Sequence, residues 1–187
     1  MSCVIDLPLK MSILCELHDN PNLTDRIGDI LGDILTLSDA LGRREILRNS
    51  HQRLVFTNGH FDLLHVGHLD YLEQARALGD ALFLGLNGDD STTRLKGVGR
   101  PIIPAQERAR LLASLIPVTA VIIFEDDTAN GLIQALQPDI YVKGGDYHHK
   151  PLPERGLVES YGGQVVLIDL VPERSTSALI ARIKGLP

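Results

Sequence analysis

From position 53 onward the chain alternates short apolar runs with longer stretches in which apolar residues recur every three or four positions. The short runs predict strands at 54–57, 81–86, 120–124, 140–142 and 165–168. The longer stretches predict helices over 67–78, 105–115 and 128–136, with Leu69, Leu72, Ala75 and Leu78 showing the period. Pro104 suits the first turn of the second helix, where its missing N–H costs nothing. Strands separated by helices imply an α/β fold, a Rossmann-like parallel sheet with helices on both faces. The strands are apolar almost throughout, as burial on both faces requires. Ligands of such sheets gather at the carboxyl ends of the strands, so residues there carry functional weight.

The first fifty residues read differently, as a partly helical N-terminal extension (1–50) before a main domain (51–187). Ile27, Ile30, Leu31, Ile34 and Leu35 recur at helical intervals, with Gly28 and Gly32 weakening the helix. Ser38 is placed to cap a following helix that runs to about Ser50. Residues 1–20 show no pattern.

At 187 residues, 44% of them hydrophobic, the chain is long enough for a real core. A net charge of −6 argues against a surface that coats nucleic acid, so any phosphate site must draw on locally concentrated positive charge. Cys3 and Cys15 have no metal-like spacing and suggest a reducing compartment. No membrane span or signal peptide is expected, and the location expected is cytoplasmic.

The chemistry gathers around "NGHFDLLHVGHLDYL", residues 58–72, where the first main strand gives way to a helix. His65 and His68 are three apart and share one face of the first helical turn. Gly67 between them lets a ligand approach the backbone, and the free N–H groups of a helix start suit a phosphate. Two imidazole donors there would stabilise charge building on phosphorus without a protein nucleophile. The bland alternative is one capping and one surface histidine. Asn58 and Gly59 end the strand and would line the crevice. Asn87-Gly88-Asp89 ends the next strand, where a ribose or base would sit; an ordinary turn explains it equally well. Lys143 at the end of the 140–142 strand points toward the crevice. Ser175-Thr176-Ser177 begins the last helix, as an anion site or as an N-cap cluster. His148 and His149 read as loop residues, and no spacing suggests a tight zinc site; no protein-held metal is expected.

These segments resemble the H-x-G-H nucleotidyltransferase superfamily. "FTNGHFDLLHVGHLDYLEQARALGD", "LNGDDSTTRLKGVGRPIIPAQERARLL", "DIYVKGGDY" and "STSALI" together resemble the adenylyltransferase domain of D-glycero-β-D-manno-heptose 1-phosphate adenylyltransferases. Glycerol-3-phosphate cytidylyltransferases are similar but less so. His60 stands where the heptose enzymes usually carry cysteine.

The resemblance implies transfer of AMP from ATP to a sugar 1-phosphate, with pyrophosphate released and Mg²⁺ accompanying ATP. It implies catalytic roles for His65, His68 and Lys96; Lys96 and Arg94 fall in "TRLKG", read as a glycine-flanked loop that closes over the triphosphate or is simply solvated. It implies nucleotide contacts from Thr57, Asn58, Gly59, Phe61, Gly67, Asn87, Asp89, Arg108, Gly144, Ser175, Thr176 and Ser177. Acceptor contacts fall to Asp62, Lys143 and Asp146, with Asp62 reading equally as a helix cap. Arg108 alternatively forms a helix-surface salt bridge. Partners are ATP and a sugar phosphate, without nucleic acid or membrane; relatives commonly pair as homodimers. A cytidylyltransferase acting on a polyol phosphate and a non-catalytic nucleotide-binding module are the competing readings. In 187 residues no separate sugar-kinase domain is expected, so another protein would supply the phosphorylated acceptor.

Overall fold

The computed structural model of the protein describes residues 32–148, 151–169 and 176–186. Six strands form one parallel sheet: β1 (Asp33–Ile34), β2 (Leu54–Gly59), β3 (Ala81–Asn87), β4 (Ala120–Phe124), β5 (Ile140–Gly144) and β6 (Gln164–Ile168). Among the described residues seven α-helices connect and cover them: α1 (Leu37–Asn49), α2 (Val66–Arg76), α3 (Asp89–Lys96), α4 (Ala105–Ala113), α5 (Asn130–Leu136), α6 (Arg155–Ser160) and α7 (Thr176–Lys184). A 3₁₀ turn, Gly145–His148, follows β5. The strand order is β1-β4-β3-β2-β5-β6, every pairing parallel. The chain runs outward from β2 through β3 to β4, then returns to the other side of β2 with β5. That reversal opens a crevice beyond the carboxyl ends of β2 and β5.

The two-residue period of a strand sorts the core into two layers. Val55, Leu82, Leu84, Leu86 and Val121 face α2 and α4, where they meet Leu72, Ala75, Ala109 and Leu112. Their neighbours Leu54, Phe56, Phe83, Ile122 and Phe124 face the other way, onto Ala40 of α1, Leu132, Ile133 and Leu136 of α5 and Val158 of α6. All seven residues of β3 are buried, as expected of a strand covered on both sides.

Several expectations shift. Ile34, read as part of a helix, lies in β1 and pairs with Val121, while Leu35 N–H donates to Val121 O. The sheet edge of β4 supplies partners that outweigh a helical pattern already weakened by glycine. Ile27, Ile30 and Leu31 lie outside the described residues. Residues 33–50 therefore share the sheet and core of the main domain. The cap of α1 is Thr36, not Ser38: its Oγ1 accepts from Asp39 N–H (3.2 Å) and donates to the Asp39 carboxylate (2.7 Å). Pro104 sits at the cap position just ahead of α4. "TRLKG" is not a loop. Arg94 and Lys96 lie in the last turn of α3, ended by Gly97 at φ 95°. β2, β3 and β5 each run further than expected, so Asn58, Gly59, Asn87, Lys143 and Gly144 are strand residues.

A buried arginine fastens α1 to the sheet. Arg44 donates to Leu136 O (3.1 Å) and Gln137 O (2.8 Å), carbonyls at the end of α5, and to the Asp139 carboxylate (2.8 Å). Asp139 also accepts from Leu54 N–H at 2.7 Å, which fixes the start of β2. Burial alone would raise the Asp139 pKa, but the Arg44 and Leu54 hydrogen bonds outweigh it and hold it below the usual 3.8. A depressed carboxylate contributes stability above the unfolded value and loses it as pH falls through the lower folded one. Arg44→Ala is expected to lower the unfolding free energy in urea by about 2 kcal/mol at neutral pH. Most of that loss comes from carbonyls left without donors, because Asp139 is 40% exposed and its charge partly screened. Repeating the titration from pH 5 down to pH 3 should show the gap between wild type and variant narrowing.

Candidate active site

The crevice at the ends of β2 and β5 is a pocket of about 570 Å³. Its floor is the end of β2. Asn58 accepts from the Tyr141 hydroxyl through Oδ1 (2.8 Å), and its carbonyl accepts from Lys143 Nζ (3.3 Å). Gly59 follows, where a Cβ would stand 2.9 Å from the Phe61 ring. Phe61 itself adopts a left-handed φ of 44°, which turns the chain sharply between β2 and α2. The turn lays the Phe61 ring against His68, centroids 5.1 Å apart at 56°.

His65 is the cap residue of α2, extended at φ −143°, and its side chain makes no cap hydrogen bond. The capping alternative therefore fails. With His68 three residues on, the two imidazoles stack at 3.8 Å between centroids and 19° between planes, and both line the pocket. His68 Nδ1 is buried with no hydrogen-bond partner among the described residues. Burial, and then the charge of His65, push the His68 pKa down to about 4. His60 also lines the pocket, its Nδ1 3.0 Å from Thr92 Oγ1. Its pKa too is lowered to about 4, first by burial and then by the charges of Lys96, Arg108, Lys143 and Arg100. Of these cations Lys96 and Lys143 line the pocket itself and bring positive charge to a crevice of an acidic chain, while Arg108 and Arg100 are paired with Asp89 and Asp62.

Most expected residues meet in this pocket: Asn58, Gly59, Phe61, His65, Gly67, His68, Asn87, Lys96, Lys143, Gly144 and Thr176 all line it. Lys96 comes from the end of α3 and Lys143 from β5, where its Nζ lies 5.7 Å and 5.5 Å from the ring centres of Tyr141 and Tyr147. Thr176 donates through its hydroxyl to Leu63 O at 3.3 Å, docking the start of α7 beside α2. Ser175 and the side chains of Asp146 and Ser177 lie outside the described residues.

Four expected contacts are directed elsewhere. Arg108 is fully buried and donates to Ile103 O (2.7 Å), His60 O (2.6 Å), Asn87 O (2.9 Å) and Asp89 Oδ1 (2.8 Å). It binds the frame of the crevice rather than a phosphate, and it is no surface salt bridge. Asp89 Oδ1 accepts also from Ala105 N–H at 2.8 Å, capping α4 from outside. Asp62 caps no helix and does not line the pocket. Its Oδ1 accepts from Ile102 N–H (2.7 Å) and Ile103 N–H (3.1 Å), and its Oδ2 from Arg100, so the carboxylate anchors the 100–103 segment. Burial would raise the Asp62 pKa, yet these donors outweigh it and keep it below the usual range. Thr57 of β2 is buried, with its Oγ1 2.7 Å from the Tyr71 hydroxyl, which donates onward to Val142 O at 3.1 Å.

Pocket residues that the sequence reading passed over are Tyr71, Leu95, Asp127, Thr128, Tyr147 and Glu154. Asp127 and Thr128 follow the carboxyl end of β4, so the strand-end rule already pointed to them. Glu154 carries no such signal, because it reaches the pocket from the far end of the loop after β5.

A parallel sheet with its crevice at the strand reversal, opened by paired histidines at a helix start, defines a nucleotidyltransferase site. A family model described as cytidylyltransferase-like matches residues 56–181, and the chain belongs to that family. It is 56% identical over 139 residues to the bifunctional protein HldE of Syntrophotalea carbinolica, covering 74% of this chain and 28% of that protein. The HldE protein of Methylobacillus flagellatus is 50% identical over 150 residues, 80% of this chain and 31% of the relative. The chain thus spans about a third of these relatives' length. Among solved structures, a lipopolysaccharide core biosynthesis protein from Thermoplasma volcanium aligns at TM-score 0.53 with 28% identity, covering 64% of this chain and 97% of that one. A pantoate-beta-alanine ligase from Francisella tularensis, at TM-score 0.55 and 15% identity over 84% of this chain and 74% of its own, shares the fold alone.

Two outcomes test the site's physics. Arg108→Ala is expected to cost about 3 kcal/mol of unfolding free energy, since three carbonyls and a carboxylate lose their donor. A residue that only held phosphate would instead weaken nucleotide binding and leave the urea midpoint unchanged. His60 and His68, both near 4 when folded against 6.5 when free, bind fewer protons folded than unfolded between those values. Stability should therefore rise as pH increases from about 4 to about 6.5. The double variant His60→Asn, His68→Asn should flatten that slope.

Proposed function

We propose that the protein transfers AMP from ATP to a sugar 1-phosphate, D-glycero-β-D-manno-heptose 1-phosphate, giving ADP-heptose and pyrophosphate. The observation that carries the transfer reaction is the stacked His65–His68 pair at the start of α2, opening on a pocket that Lys96 and Lys143 also line. The resemblance of "TNGHFD", "RLKG", "GRPI" and "VKGGDY" to the heptose enzymes supports the acceptor. The similarity to HldE proteins agrees with it.

In the reaction an oxygen of the acceptor phosphate attacks the α-phosphorus of ATP. The bond from that phosphorus to the bridging oxygen of the leaving group breaks, and pyrophosphate departs with the electron pair. The protein supplies position and charge rather than covalent chemistry. His65 and His68 hydrogen-bond the α-phosphoryl oxygens as negative charge builds on them. With a pKa near 4, His68 acts as a neutral imidazole donor across the physiological range. Lys96 and Lys143 hold phosphate oxygens as point charges, and backbone N–H groups at the start of α7 offer further donors toward the β- and γ-phosphates. Mg²⁺ would enter with the triphosphate. Among the described residues no group of three or more His, Cys, Asp or Glu could hold a metal by itself, so phosphate oxygens and water would supply most of its ligands. No helix among the described residues is long and apolar enough to cross a membrane.

Pyrophosphate release, screened with four nucleoside triphosphates against sugar and polyol phosphates, tests the assignment. Turnover is expected with ATP and the heptose 1-phosphate. Turnover of CTP with glycerol 3-phosphate, and none with ATP and the heptose phosphate, would replace it with the polyol reading. His65→Ala and His68→Ala should each lower kcat about 100- to 1000-fold with little change in ATP Kd, because the histidines meet charge that appears only in the transition state.

A further inference from the structure

Glu154 lines the pocket from the residue preceding α6, and it is 7% exposed. Its Oε2 is buried with no hydrogen-bond partner among the described residues. Buried carboxylate oxygens are normally satisfied, and leaving one without a donor is costly enough to demand a reason. Its surroundings are built for a ligand. Tyr147 and Lys143 line the same pocket, and the Tyr141 hydroxyl is tied to Asn58. Tyr141 is driven to a high pKa first by burial and next by the charge of Glu154, as expected of a carboxylate close to this wall.

We propose that Glu154 binds a hydroxylated substrate, its carboxylate accepting hydrogen bonds from a vicinal diol, with the Tyr147 ring face packed beside the carbon skeleton. The inference rests on the transfer reading above and names the group that reads its substrates. An ionised carboxylate is acceptor-only, so it repels phosphate and requires donors. Adenine sets an acceptor ring nitrogen beside its amino donor, so only one of two carboxylate oxygens would find a donor there. Two neighbouring hydroxyls offer two donors at the spacing of two carboxylate oxygens. The ribose of the nucleotide and the acceptor sugar both carry such a pair, and the chemistry of recognition is the same for either.

The test measures binding of ATP, 2′-deoxy-ATP, the heptose 1-phosphate and an analogue lacking one hydroxyl of its diol, by calorimetry on wild type and Glu154→Gln. Steady-state pyrophosphate release is followed alongside. For one of the two substrates, E154Q is expected to weaken binding and raise KM about 10- to 100-fold, with a smaller change in kcat. Wild type should lose a similar factor on the deoxy form of that substrate, and on that form wild type and E154Q should bind alike. A loss confined to ATP assigns the ribose; a loss confined to the heptose phosphate assigns the acceptor. The proposal is overturned if wild type binds both deoxy forms within about twofold of the parent ligands, an arm independent of how the variant folds. It is overturned equally if E154Q melts at the wild-type temperature and weakens neither ligand, or weakens parent and deoxy forms alike. Intact binding without pyrophosphate release from any pair would instead sink the transfer reading alone.

Discussion

One guanidinium organises the mouth of the crevice. Arg108 draws together the carbonyl of His60 beyond β2, that of Asn87 at the end of β3, that of Ile103 ahead of α4, and the Asp89 carboxylate at the start of α3. Strand ends in a parallel sheet otherwise leave carbonyls turned outward with no partner. A planar cation with five donors satisfies several at once and fixes the distances among them. Asp62 performs the complementary task, gathering the N–H groups of Ile102 and Ile103 and the Arg100 side chain. Between them these two residues set the 100–103 segment against β2, and the turn that holds Phe61, His65 and His68 is built on that frame.

The electrostatics follow from the same frame. Burial is the largest cause of the depressed His60 pKa, and Lys96, Arg108, Lys143 and Arg100 add to it. Two of the three pocket imidazoles, His60 and His68, are held neutral by burial before any charge acts on them. A neutral imidazole donates a hydrogen bond to phosphate without adding net charge to the site. Site charge and site donors are thus separate groups, Lys96 and Lys143 for the first and His65 and His68 for the second.

Much of this was legible in the sequence, for physical reasons that differ from place to place. Strands buried on both faces are written as unbroken apolar runs, and β4 appears with the very bounds the pattern predicts. His65 and His68 were legible because residues three apart at a strand-to-helix junction can share one face, although only the structure excludes the capping alternative. Ile34 was not, because its strand conformation depends on the edge of β4, which lies more than eighty residues away in sequence. Lys96 lines the pocket from a helix where a loop was expected, since glycine flanks suggest a loop even when a helix of eight residues fits between them. Asp62 and Arg108 were legible as important charges but not as frame residues. Their partners are backbone groups, and a backbone N–H or C=O leaves no mark in a sequence.

The arginines and lysines divide their work by shape. Arg44 satisfies carbonyls at the end of α5, Arg94 pairs with Asp127 at 2.8 Å while reaching Glu125 O, Arg100 meets Asp62, and Arg108 closes the strand ends. Arg44, Arg94 and Arg108 use the rigid fork of the guanidinium, which holds several acceptors in fixed relation and so suits a frame. The cations that line the pocket are lysines, compact charges on flexible stems that can follow a phosphate as its oxygens rearrange. The Arg94–Asp127 pair joins the two roles: it secures the last turn of α3 to the loop after β4, and Lys96 lies two residues further along the same turn. Replacing a frame arginine with lysine would keep the charge and lose the geometry, which is why the identity of each cation, and not the net charge of −6, decides what this crevice can hold.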